Sequence, residues 1–258
     1  MSLAFCVYDL TIGVEGALNA FAQIVDYLGL SNERVWVKGQ KSRPRRLRID
    51  RLEPVDPLFS GMSAFSFAAI SGEPLEATLH NAAPYVDYMR VVGRDSLTVF
   101  SPQLADLREF AESFIGGVPG KYGFGMDWSR PGSFSGYAHG IGDFEATGGD
   151  LLGTSDAGRW GNLYLPERST LFDKPIIRDI YPVNLLTTAH LDRETHDGTV
   201  WDLIHGHKDW GDVTPLADNW FMWWVPSSAI DSVREAFRSR GLLVRLPTYF
   251  GEKDSLIP

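Results

Sequence analysis

The rhythm of apolar and polar positions changes several times along the chain. Leu3-Ala4-Phe5-Cys6-Val7-Tyr8 is an unbroken apolar run that reads as a buried strand. After Asp9, apolar residues at Val14, Leu18, Phe21, Ile24, Val25 and Leu28 recur every three or four positions. That spacing predicts a helix with Thr11 as N-cap and Gly29 as its stop. Residues 34–37 predict a short strand. From 62 to 100 the pattern becomes strand-like, with apolar or alternating segments at 63–70, 75–81, 86–92 and 97–100 separated by Gly, Pro or Ser-Gly. Ser101-Pro102 then looks like an N-cap with proline at the first helical position. The helix it opens carries Leu104, Leu107, Phe110, Ala111 and Phe114 on one face and ends at Gly116-Gly117. The first half therefore reads as a sheet with two helices packed on one side.

Residues 116–158 are glycine-rich, with strand-like pieces at 122–128 and 135–141 and a breaker-rich surface loop around 147–158. Beyond it the pattern predicts a strand at 176–180, short helices at 185–191 and 200–205, and strands at 213–216 and 220–225. Thr199 with Asp202 three residues on resembles a capping box for the second of those helices. A final helix starts at Ser227/Ser228, turns Ile230, Val233, Ala236 and Phe237 inward and stops at Gly241, before an apolar strand at 242–246. The expected fold class is α+β: largely antiparallel sheet with helices packed on one face, in two α+β halves spanning 1–118 and 119–258. Whether the halves share one core is open at this level.

Composition narrows the class. With 258 residues, 44% hydrophobic and 22% charged, the chain has the material for a buried core. A single cysteine excludes an intrachain disulfide and a Cys-based zinc site. No basic-then-apolar leader opens the chain, and no apolar run approaches the ~18 residues of a membrane span, so the expected location is cytoplasmic. The formal net charge of −9 is uneven. Between Arg34 and Arg51 lie eight basic residues and one acid, whereas the rest of the chain holds 16 basic and 32 acidic residues. Pro44 prevents this basic arm from being a helix and makes it a loop or twisted hairpin. An acidic body with one basic arm weighs against a dedicated nucleic-acid binder.

Motifs that carry chemistry mostly fail at a nameable residue. No Walker loop is present, and no cofactor is expected. Gly123-Phe-Gly125-Met-Asp-Trp128 starts like a dinucleotide fingerprint, but Trp128 stands where the third glycine is needed. Gly132-Ser-Phe-Ser-Gly136 resembles a nucleophile elbow with Phe134 in the nucleophile's place. His205-Gly-His207-Lys-Asp209 has a His/Asp spacing that could hold a metal and activate water, against the alternative of solvated residues ending a helix. The carboxylates Asp127, Asp143, Glu145, Asp150 and Asp156 read as ordinary surface acids of an acidic protein. Two features are candidates for binding a partner. One is the basic arm, with Arg43, Arg45 and Arg46. The other is the run Trp220-Phe221-Met222-Trp223-Trp224, whose Trp220, Trp223 and Trp224 are either core or a contact surface.

One long stretch resembles a known pattern. Ile177-Arg178-Asp179-Ile180-Tyr181-Pro182-Val183-Asn184-Leu185-Leu186, then His190-Leu191, the helix at Trp201–Ile204, Thr214-Pro215-Leu216, the Trp-rich strand and the last helix follow it, as does the earlier Arg159-Trp160-Gly161. Over about 100 residues this resembles an uncharacterised group of bacterial proteins similar to the immunity proteins of toxin systems. In that group a Trp–acid or Trp–Trp pair stands where this chain has Trp223-Trp224. The resemblance implies a non-enzymatic protein that neutralises a toxin by binding it, with a protein partner and no catalytic residues. A metal-dependent hydrolase centred on His205, His207 and Asp209 is the alternative, followed by a nucleic-acid-associated protein using the arm.

Overall fold

Every residue of β1 (Leu3–Tyr8) is buried because its side chains alternate into two cores, Leu3, Phe5 and Val7 on one side and Ala4, Cys6 and Tyr8 on the other. The computed structural model describes residues 2–31, 34–39, 45–48, 64–70, 83–91, 94–103, 106–128, 133–140, 160–161, 164 and 170–244. Within them, β1 is a central strand of a ten-stranded sheet in which every neighbouring pair is antiparallel. The other strands are β2 (Arg34–Gly39), β3 (Arg45–Arg48), β4 (Ala64–Ile70), β5 (Tyr85–Val91), β6 (Arg94–Ser101), β7 (Tyr122–Met126), β8 (Val183–Leu186), β11 (Asp212–Ala217) and β12 (Trp220–Trp224). Their order is β11-β12-β8-β7-β1-β6-β5-β4-β2-β3; a separate small hairpin joins β9 (Glu194–Thr195) to β10 (Gly198–Thr199). At about 4.8 Å per strand, the two edges of the large sheet lie roughly 43 Å apart.

The α+β class and the antiparallel sheet are as the sequence pattern predicts. Helices α1 (Gly13–Tyr27) and α2 (Leu107–Ser113) pack on one face, against Phe5, Val7, Val86 and Val99. Helices α3 (Phe134–His139), α4 (Thr188–Leu191), α5 (Val200–His205) and α6 (Ile230–Ser239) pack on the other, against Tyr8, Phe124 and Trp223. Each half thus keeps its helices to one face, and the faces are opposite, so the sheet is covered on both sides. The pairing of β7 with β1 carries this sheet across residue 118. Gly123 and Gly125 make that pairing possible: a Cβ on Gly125 would enter the Phe5 ring, and one on Gly123 would meet Cys6 O at 2.8 Å.

Several boundaries differ from the pattern. Within the piece expected as a strand at 135–141, the described residues 135–139 are helical: Ser133 Oγ accepts from Gly136 N, Phe134, Tyr137 and Ala138 are buried at helical spacing, and Gly140 ends the helix at φ 64°. The glycines around it hide that short periodicity. Ser101 ends β6 rather than opening a helix; α2 is capped by Asp106, which accepts from Arg108 N and Glu109 N. The expected helix at 185–191 divides into β8 and the single turn α4, because Asn184 and Leu185 are drawn into the sheet. The strands expected at 176–180 and 242–246 reduce, among the described residues, to one parallel bridge between Ile177 and Leu243. Thr11 is not the cap of α1, since Ile12 holds that position and the Thr11 hydroxyl donates to Pro119 O. Gly29 and Gly241 follow their helices at positive φ, as expected. Segments 75–81 and 147–158 and residue Arg43 lie outside the described residues.

Candidate interaction surface

Most of the residues behind the resemblance assemble inside the protein, with Trp201 left exposed. Arg178 is 4% exposed, and among the described residues no acid is a hydrogen-bond partner of it. Its guanidinium donates to Ala138 O (3.1 Å), Tyr137 O (3.0 Å) and the Tyr8 hydroxyl (3.2 Å). The two carbonyls end α3, where a helix presents unpaired acceptors and the negative end of its dipole. The rings of Tyr137 (4.4 Å), Trp160 (4.7 Å) and Phe124 (5.3 Å) surround the cation. Ala138 O also accepts from the Tyr8 hydroxyl and from Trp160 Nε1 at 2.8 Å. Burial pushes the phenols of Tyr8, Tyr122 and Tyr181 up, so they remain protonated donors.

The neighbouring residues of that segment act in the same way. Gly161 lies against the Gly140 backbone, where a Cβ would collide. Asp179 accepts from Arg234 Nε at 2.8 Å and ties α6 to the sheet. Pro182 interrupts the ladder, and the fully buried Asn184 side chain compensates: Oδ1 accepts from Tyr181 N and Nδ2 donates to Tyr181 O. His190 Nδ1 accepts from Thr187 N, which leaves the proton on Nε2 to be donated to Ile176 O. Burial lowers its pKa from 6.5 to about 4, so it stays neutral. All of this chemistry is internal and hydrogen-bonded, and it holds elements together.

The outside is different between residues 192 and 218. This stretch holds seven acids, all exposed (Asp192, Glu194, Asp197, Asp202, Asp209, Asp212 and Asp218), against Arg193 and Lys208. Arg193 turns inward and donates to Leu242 O and Gly241 O, so Lys208 is the exposed cation of the stretch. Helix α5 stands in the middle. Its capping box is complete, with Asp202 N donating to Thr199 Oγ1 and Thr199 N to Asp202 Oδ2. In the first turn of this helix Trp201 is 39% exposed; with Tyr27 it forms the pair of large hydrophobic residues left exposed among the described residues. Its ring stacks on His205 at 4.0 Å between centroids, and His205 Nδ1 donates to Trp201 O. Next to it, His207 stacks at 3.9 Å on the buried Trp210.

This geometry places each residue singled out by sequence. Trp220 and Trp223 have no exposed surface, and Trp224 is partly covered. Trp223 supports the outer surface from within, because its Nε1 donates to Trp210 O at 3.0 Å. His205 and His207 rest on separate indoles and Asp209 points to solvent. Among the described residues, no three His, Cys, Asp or Glu side chains are grouped to hold a metal. The arm is a hairpin edge, with Arg48 opposite Arg34, Arg46 opposite Trp36 and Arg45 opposite Val37. Arg46 is exposed and lies 4.1 Å over the Trp36 ring. The sheet therefore has an arginine-rich edge strand at β3, and its opposite edge strand β11 carries Asp212. The sequence pattern did not single out Trp201 as the exposed tryptophan. Its signal was present, a tryptophan directly after a capping Thr-Val, on the polar side of the short helix.

The fold has a counterpart among solved structures. It is similar to the Pseudomonas aeruginosa T6SS protein PA0821, with a TM-score of 0.58 and 11% sequence identity, over 99% of this chain and 78% of that one. The likeness is one of fold. No protein-family model matches the chain, and no curated protein matches it by sequence. Among the described residues, no helix is long and apolar enough to cross a membrane.

Proposed function

We propose that this chain is a non-enzymatic binding protein that neutralises a protein partner by covering it, in the manner of an immunity protein of a bacterial toxin system. The observation that carries this reading is the 192–218 surface, where an exposed tryptophan stands among seven exposed acids on an ordered frame. Tryptophan is enriched among residues that dominate binding energy, and an acidic surface speeds capture of a basic partner. The sequence resemblance to immunity-like proteins supports the reading, and the shared fold with a T6SS protein is compatible with it. The frame needs no cofactor. The partner meets the protein in the cytoplasm and is covered there.

A cellular rescue assay tests this. The reading expects a toxin-like gene adjacent to this one, and cells co-expressing its product should survive with the wild-type protein and lose protection with Trp201→Ala in a variant that stays folded. Death of cells carrying the wild-type protein at full expression would overturn the proposal.

A further inference from the structure

We infer that the turn Leu171–Asp173 is a clasp, fastened to one end of the sheet by charge, that opens and recloses while the strands beneath it stay paired. It is a single 3-10 turn, and among the described residues the backbone bonds around it are local, Asp173 N to Thr170 O and Ile176 N to Lys174 O. Side chains therefore attach it to the sheet. Leu171 and Phe172 are buried, and the Phe172 ring stacks 5.0 Å from Tyr8 and 6.1 Å from Tyr122. Asp173 is held by two cations at once: its Oδ1 accepts from Arg94 Nη2 at 3.0 Å and from Lys121 Nζ at 2.7 Å. Downstream, Ile176 O accepts from His190 Nε2, so the movable piece ends before that residue.

The two cations belong to the sheet. Arg94 opens β6, and Lys121, whose N–H donates to Tyr8 O, directly precedes β7; these strands flank β1 on its two sides. Asp9 follows β1 at φ 54°, a left-handed conformation uncommon outside glycine, and its Oδ2 pairs with Arg94 Nη1 and, at 3.3 Å, with Lys121 Nζ. Each cation thus touches both acids, but the acids are not equivalent. The Asp9 side chain is 9% exposed and that of Asp173 49%. Loss of the inner acid would leave two like charges facing one another in a half-buried site. Loss of the outer acid leaves both cations paired with Asp9 and returns an accessible carboxylate to water. Asp9 is therefore the permanent part of the network and Asp173 the releasable part, weakened by salt because it is half in solvent. Opening bares the Tyr8 and Tyr122 rings beside the Tyr8 hydroxyl that Arg178 holds, so the clasp governs the access of water to that centre.

Amide hydrogen exchange of the full chain, read by mass spectrometry at about 50 and about 500 mM sodium chloride, tests the clasp. Exchange at 171–174 should quicken about tenfold at the higher salt and in Asp173→Asn, while β1, β6 and β7 exchange as before. In that variant salt should have little further effect on the turn. Asp9→Asn, which keeps a residue tolerant of the left-handed backbone but removes the inner charge, should instead quicken exchange in β1 and lower the melting temperature. Lys121→Met should loosen the turn more than it loosens β1. Exchange at 171–174 that keeps pace with β1 in every variant would overturn the clasp, as would exchange indifferent to both salt and Asp173→Asn. Failure of Asp173→Asn to fold would overturn it too, because the turn would then be inseparable from the sheet.

Discussion

Arg178 and Trp201 are 23 positions apart in one sequence and belong to different physical regimes. The arginine is enclosed by rings and helix-end carbonyls, and each of its partners comes from a distant part of the chain, 40 to 170 residues away. The tryptophan is 39% exposed on a helix of six residues, with its ring stacked on His205 four positions along and its carbonyl bonded to the same imidazole. A change at the first propagates through the fold, whereas a change at the second stays local. The difference teaches that Arg178 joins distant elements of the architecture, whereas Trp201 belongs to a local surface turn, to which the proposed binding role assigns the choice of partner.

The strongest test of that contrast is to remove the arginine. Arg178→Ala leaves the Ala138 and Tyr137 carbonyls without their cation and opens a void among the rings. It should cost about 3–5 kcal/mol, read as a lower urea midpoint or outright loss of folding. A loss below about 1 kcal/mol would show that the α3 end does not depend on it.

The second test uses the half-buried acid Asp87 and the buried base His190, whose titrations oppose one another. Burial lowers His190 to about 4, so the unfolded chain binds more protons there and stability is lost as pH falls from 6.5 toward 4. Burial raises Asp87, which accepts from Ser135 Oγ, to about 6, so the folded chain binds more protons and stability is gained as pH falls through 6. The two act in the same window with opposite sign, each by an amount on the order of 3 kcal/mol. Asp87→Asn should therefore lose stability more steeply on acidification than wild type, and His190→Gln should lose less or gain. Three superimposable profiles between pH 4 and 6.5 would show that neither group is buried in the folded protein as described.

Smaller effects belong to the surface. Thr199→Ala removes the cap of α5 and should cost about 1 kcal/mol. Because the cap orders the first turn, it should also weaken partner binding, and Thr199→Ser should restore both. Trp201→Ala should change stability by no more than about 0.5 kcal/mol while abolishing protection in the rescue assay. A large loss of stability would place the indole with the interior residues and dissolve the contrast.

Much of this was legible in the pattern. The apolar run of β1, the 3–4 spacing of α1 and α6, the glycine stops and the Thr199–Asp202 box are local signals, and all appear in the fold. The chemistry of the His205–Asp209 spacing was legible too, but a spacing does not say where rings point. Each imidazole found an indole closer than a shared ion. The tryptophan run shows the same limit. Its alternation identified a strand, yet only its position between β8 and β11 buries Trp220 on one face and Trp223 on the other.

By itself, then, the sequence determined the class, the helices α1, α5 and α6, several of the strands, and the imbalance between a basic arm and an acidic body. These depend on neighbours a few positions apart. Tertiary structure alone decided that both halves enter one sheet, that their helices take opposite faces, that Arg178 has carbonyls for partners, and that Trp201 is the exposed tryptophan. Each of those depends on contacts between residues tens of positions apart, where burial and hydrogen bonding are settled by packing that no local periodicity encodes.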